Sequence, residues 1–154
     1  MHSVLFVCTA NICRSPLAMG LLRQKVNGQG DWQIDSAGTW TTGGEAISRN
    51  SDAVLRQRGV VLKDFASQPV TQELLENYQL ILTMTKSHKE ALQIEFPEIA
   101  KRIYLLSEMA GQNYDIDDPY GGPLAEYEIT AREIELILAN GFPTIASLSQ
   151  SQPA

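Results

Sequence analysis

The run Tyr78-Gln-Leu-Ile-Leu-Thr-Met84 narrows the choice of fold more than any other stretch of this chain. Its apolar side chains fall on both parities of an extended strand, so both faces need cover, as in a central parallel strand between two layers of helix. Ser3-Val-Leu-Phe-Val-Cys8 reads as a second such strand, Trp32-Gln-Ile-Asp-Ser-Ala-Gly38 as a third that alternates before Gly38-Thr39, and Arg102-Ile-Tyr-Leu-Leu106 as a fourth. Helical spacing separates them. Ser15-Pro16 opens a helix through Leu17, Leu21 and Leu22, and Ser51 and Asp52 are placed to cap another that carries Ala53, Val54 and Leu55 and ends at Gly59. Thr71 to Glu76, Lys86 to Ile94 and a long amphipathic stretch through Tyr127, Ile134, Ile137 and Leu138 complete the set. With no internal repeat and no linker, this alternation implies an α/β chain: a single open four-stranded parallel sheet with helices on both faces.

A length of 154 residues fits one domain, expected over 1–146, with the polar Ser147-Leu-Ser-Gln-Ser-Gln-Pro-Ala154 as a frayed tail. The formal charge is −6 and no Lys/Arg run exists, so the footprint that nucleic acid demands is missing. No apolar run is long enough for export or for a membrane span, and no membrane partner is expected. Two cysteines, Cys8 and Cys13, are too few for a disulfide framework and suit a reducing cytoplasm.

Those cysteines lie in Cys8-Thr-Ala-Asn-Ile-Cys-Arg14-Ser15, which joins the end of the first strand to the start of a helix. In open α/β sheets ligands bind beyond the carboxyl ends of the strands, where Cys8 sits. A loop of this length can turn the N–H groups of Thr9, Ala10, Asn11, Ile12, Cys13, Arg14 and Ser15 toward one anion, with the helix N-terminus adding partial positive charge. The planar fork of Arg14 can grip two phosphate oxygens. The same field and the Ser15 hydroxyl favour Cys8 as thiolate, a nucleophile able to attack phosphorus without a metal or other cofactor. A lone cysteine at a strand end is otherwise a small buried hydrophobe, and it is the arginine and the helix start that shift the reading.

The chain here resembles the low-molecular-weight protein tyrosine phosphatases, whose signature is a strand followed by Cys-x-Gly-Asn-Ile-Cys-Arg-Ser-Pro. Asp35-Ser-Ala-Gly38, Met84-Thr-x-Ser-His88 and Asp118-Pro-Tyr120 extend the likeness over nearly the whole chain in the family's order. The resemblance implies a flavodoxin-like three-layer sandwich and metal-independent hydrolysis of protein phosphotyrosine, with inorganic phosphate as product and competitive ligand. Ala10 stands where the family commonly has glycine, which matters only if that backbone needs positive φ. Asn11 and Ser15 are expected to support the loop, Asn11 by side-chain bonds that include Ser36.

Similarity to the family's Asp-Pro motif points to Asp118 as general acid and then base, with Asp117 its nearest rival. Ile12, Trp40 and Tyr120 could wall a slot for a flat ring, although packing alone would explain each of them. A related branch of the family acts on phosphoarginine and carries threonine at the position of Ile12, so isoleucine favours tyrosine and phosphoarginine is the alternative. Cys13 is near enough in sequence to Cys8 for a reversible disulfide. His2 is expected in solvent and His88 at a helix start, neither with a catalytic role. Arsenate reductases share the loop but pass oxidation through further cysteines, and a non-catalytic phosphocysteine carrier would have no use for Asp118.

Overall fold

A computed structural model describes residues 1–151 and contains four strands, β1 (His2–Cys8), β2 (Trp32–Gly38), β3 (Leu80–Thr83) and β4 (Ile103–Leu105). They form one parallel sheet in the order β2-β1-β3-β4. The helices are α1 (Arg14–Lys25), α2 (Arg49–Gln57), α3 (Gln72–Glu76), α4 (Lys86–Glu95) and α5 (Leu124–Ser149), with 3₁₀ segments at Pro97–Arg102 and Leu106–Ala110.

β1 shows why the sheet needs two helical layers. Val4, Phe6 and Cys8 point into a core built with Leu17 and Leu22 of α1, Leu55 of α2 and Ile134 and Leu138 of α5. Leu5 and Val7 point the other way, into a core with Leu75, Leu92 and Ile99. The period of two along a strand thus distributes one apolar run between both layers. The strand order changes direction beside β1, so its carboxyl end opens at the switch point where α/β sheets hold ligands.

The structure corrects three local expectations. Ser48, rather than Ser51 or Asp52, caps α2 by accepting from the Ser51 amide at 3.3 Å. Asp52 lies one turn inside the helix and pairs with Arg56 at 2.8 Å. The tail expected to fray from 147 is helical to Ser149. Ser149 is buried with its Oγ 3.0 Å from His2 Nδ1, and the Ser151 amide donates to the Met1 carbonyl. Small hydroxyls find partners there that a polar sequence does not advertise. His2 accordingly stacks on Trp32 at 4.1 Å instead of standing in solvent. Residues 152–154 of that tail lie outside the described residues.

Candidate active site

The loop from Cys8 to Arg14 is built from its carbonyls outward. The Cys8 and Thr9 carbonyls accept from the Thr39 and Trp40 amides, both at 2.9 Å, and the Ile12 carbonyl from the Ser48 amide at 2.8 Å. The Cys13 carbonyl accepts from Ser51 Oγ at 3.2 Å. Each of these acceptors is thereby turned to the segment after β2 and to α2, away from an incoming anion. Cys13 sits at the cap position of α1 without a side-chain cap bond, so the first amides of that helix remain donors for a ligand. Gly38 lets β2 touch this loop: a Cβ there would fall 2.6 Å from the Thr9 carbonyl oxygen.

Asn11 is the left-handed residue of the loop, with φ 61, and Ala10 is not in that region, so the Cβ of Ala10 costs no backbone strain. The Asn11 side chain is fully buried. Its Oδ1 accepts from the Gln68 amide at 3.0 Å, and a backbone N–H can only donate, so the amide orientation is fixed. Nδ2 must then donate to Ser15 Oγ at 2.8 Å and to Ser36 Oγ at 2.9 Å. Because Ser15 Oγ already accepts from Asn11, its own proton is free for Cys8 Sγ, 3.0 Å away. Three separate segments therefore act through one amide to aim a proton donor at the sulfur. Asn11→Ala should destabilise the protein by about 3 kcal/mol, since several buried groups lose partners and alanine resists positive φ. Thermal melting would show this as a fall of roughly 10 °C; an unchanged melting temperature would mean that the network carries no stability.

Arg14 is 4% exposed. Its Nη1 donates to the Ile116 carbonyl at 2.8 Å, and Nη2 reaches Thr9 Oγ1 at 3.5 Å and Asp118 Oδ2 at 3.6 Å. Nε is buried and finds no acceptor among the described residues, which leaves the guanidinium with donor capacity for an anion. Ile116 is itself tied down, its amide donating to the Met84 carbonyl at 2.9 Å at the end of β3. Arg14 and the Asp118 loop are thus registered against the same strand.

The three aspartates of that loop separate. Asp115 Oδ1 accepts from the Lys86 amide at 2.8 Å, at the N-terminus of α4. Asp117 is exposed, close enough to Glu133 to help raise that carboxyl's pKa behind the larger effect of burial. Asp118 has its side chain 48% exposed, and its Oδ1 accepts from the Tyr120 amide at 3.1 Å. Only Asp118 shares a cavity of about 330 Å³ with Cys8, Thr9, Ala10, Ile12, Cys13 and Arg14. Trp40 and Tyr120 stand at its walls, largely exposed, and Glu45 lines it as well.

Both cysteines are free. Burial pushes the Cys13 thiol pKa up, and its sulfur lies 3.7 Å from the Tyr127 hydroxyl, itself pushed up to about 12 chiefly by burial. Sequence reasoning missed Glu45, Ser48, Ser51 and Gln68, and it gave His88 no place beside the loop. Ser48 and Gln68 reach the loop through backbone amides, which leave no side-chain signature.

A model of the low molecular weight phosphotyrosine protein phosphatases matches residues 3–151. The chain is 33% identical over 139 residues to a protein-arginine-phosphatase of Geobacillus stearothermophilus, covering 89% of this chain and 91% of the relative. A low molecular weight protein tyrosine phosphatase from T. tengcongensis superposes with a TM-score of 0.89 at 36% identity, covering 94% of this chain and 99% of that one. A YwlE arginine phosphatase mutant with a phosphorylated active-site serine superposes with a TM-score of 0.87 at 28% identity and 97% coverage of each chain. The overall fold is therefore shared along with the sequence, and the chain belongs to the low molecular weight phosphotyrosine protein phosphatase family.

Proposed function

We propose that this phosphatase hydrolyses phosphotyrosine in proteins through a cysteinyl-phosphate on Cys8. The observation that carries the reading is the single cavity in which Cys8, Arg14 and Asp118 meet, walled by Ile12, Trp40 and Tyr120. In the first step Cys8 Sγ attacks phosphorus, the bond to the tyrosine oxygen breaks, and Asp118 gives that oxygen its proton. In the second, Asp118 takes a proton from water as the water oxygen attacks phosphorus, and the P–S electron pair returns to Cys8. The amides of Thr9 to Ser15 and the fork of Arg14 stabilise the equatorial oxygens throughout. The Ser15 hydroxyl supports the sulfur as it departs. The phosphorylated serine of the related arginine phosphatase supports phosphate transfer to the nucleophile position. Released phosphate competes for the same loop, and two free cysteines suit a cytoplasmic setting.

A second reading, phosphoarginine, draws on the carboxylates of Asp118 and Glu45 in one cavity, which could accept from a guanidinium. Steady-state assays of a phosphotyrosine peptide and a phosphoarginine peptide, with wild type and Asp118→Asn, separate the two. The expected result is a wild-type preference for phosphotyrosine, with kcat/KM on that peptide falling about 10²- to 10³-fold in Asp118→Asn. Preference for phosphoarginine would keep the two steps and reverse the role given to Ile12.

A further inference from the structure

His88 occupies position three of α4, a site where an exposed polar residue would serve the helix equally well, yet it is 8% exposed. Its Nε2 lies 2.9 Å from Thr9 Oγ1, and its Nδ1 is buried without a partner among the described residues. An orphaned buried polar atom costs stability, so a residue that merely filled this space would be apolar. Thr9 Oγ1 also accepts from Arg14 Nη2, at 3.5 Å.

Taking Arg14 as the phosphate clamp, we propose that His88 is a positioning residue for it, acting through the Thr9 hydroxyl. The bonds can run head to tail: Arg14 Nη2 donates to Thr9 Oγ1, and the Thr9 hydroxyl donates to His88 Nε2, which must then be the unprotonated nitrogen of the ring. The charges facing this ring are Arg14 from α1 and Asp115 and Asp118 from the loop before α5. Burial and Arg14 outweigh the two aspartates and lower the His88 pKa to about 4, so the ring is neutral at pH 7 and keeps the lone pair that this chain of bonds requires. Each bond polarises the next, and the guanidinium is held at one end by the Ile116 carbonyl and at the other by Thr9. The fork then has one orientation before phosphate arrives.

The test compares wild type, His88→Leu, His88→Gln, Thr9→Val and the double variant His88→Leu/Thr9→Val. The readouts are the inhibition constant of inorganic phosphate, kcat/KM on a phosphotyrosine peptide, and the melting temperature. His88→Leu and Thr9→Val should each weaken phosphate inhibition and kcat/KM by about 5- to 10-fold, the weight of one hydrogen bond. The double variant should lose no more than either single one, because both break the same chain of bonds. Glutamine, which can accept at the place of Nε2, should restore most of the loss while the leucine variant melts no lower than wild type. Additive losses, equal behaviour of leucine and glutamine, or an effect confined to melting would overturn the proposal. If His88→Leu does not fold, Thr9→Val against Thr9→Ser reads the same link, with serine expected to retain phosphate inhibition. A wild-type protein that neither turns over the peptide nor binds phosphate would instead remove the reading of Arg14 on which the proposal rests.

Discussion

Cys8→Ser is expected to lower steady-state turnover of a phosphotyrosine peptide by at least about 10⁴-fold while leaving folding and phosphate binding close to wild type. The substitution is nearly isosteric at a side chain only 2% exposed, and the contact with Ser15 Oγ can be kept by an oxygen. The chemistry cannot be kept. Serine needs a base to become a nucleophile, whereas the side chain bonded to this position, the Ser15 hydroxyl, has its proton free to donate there. Any phosphate that did reach the serine would stay there, because an alkoxide leaves phosphorus far less readily than a thiolate. The measurement is turnover alongside calorimetric phosphate binding. Activity within about tenfold of wild type would place the nucleophile elsewhere, and loss of phosphate binding would mean that the change had disturbed the loop rather than the chemistry.

The legible parts of this molecule were those written in side-chain pattern. β2 runs from Trp32 to Gly38 as its alternation implied, because one strand face had to bury Ile34 and Ser36 and the sequence shows that period directly. The meeting of Cys8 and Arg14 in one cavity was likewise legible, since strand end, loop length and helix start fix their separation within a single segment. The bond from Asn11 to Ser36 was anticipated for the same reason, a buried turn asparagine needing acceptors nearby. What could not be read was the wall behind the loop. Ser48, Ser51 and Gln68 reach it through one amide, one hydroxyl and another amide across 36 to 57 residues of sequence, and a backbone donor has no residue type to betray it. His88 stands at the helix start where it was expected, but its burial beside the loop was not legible, because burial belongs to the packing of α4 against the sheet and not to a place in the sequence. The helical end at Ser149 was not legible in a polar composition, because Ser149 is polar yet buried against His2.

Arg14→Lys separates charge from geometry at the phosphate. Lysine preserves the positive charge but offers a single ammonium, which cannot hold the Ile116 carbonyl and grip two phosphate oxygens at once as the guanidinium can. The expected loss in kcat/KM on a phosphotyrosine peptide is about 10³-fold, with Arg14→Ala lower still at about 10⁴-fold, by analogy with the weight of arginine in stabilising phosphoryl-transfer transition states. The gap between the two variants reports the charge, and the larger gap from wild type to lysine reports the fork. Alanine also releases the Ile116 carbonyl, so the loop that carries Asp118 loses one of its anchors, while the bond from the Ile116 amide to Met84 remains. For that reason phosphate inhibition should be measured together with turnover. A lysine variant that keeps activity within tenfold would show that a point charge suffices, and the planar geometry argued for Arg14 would have to be given up.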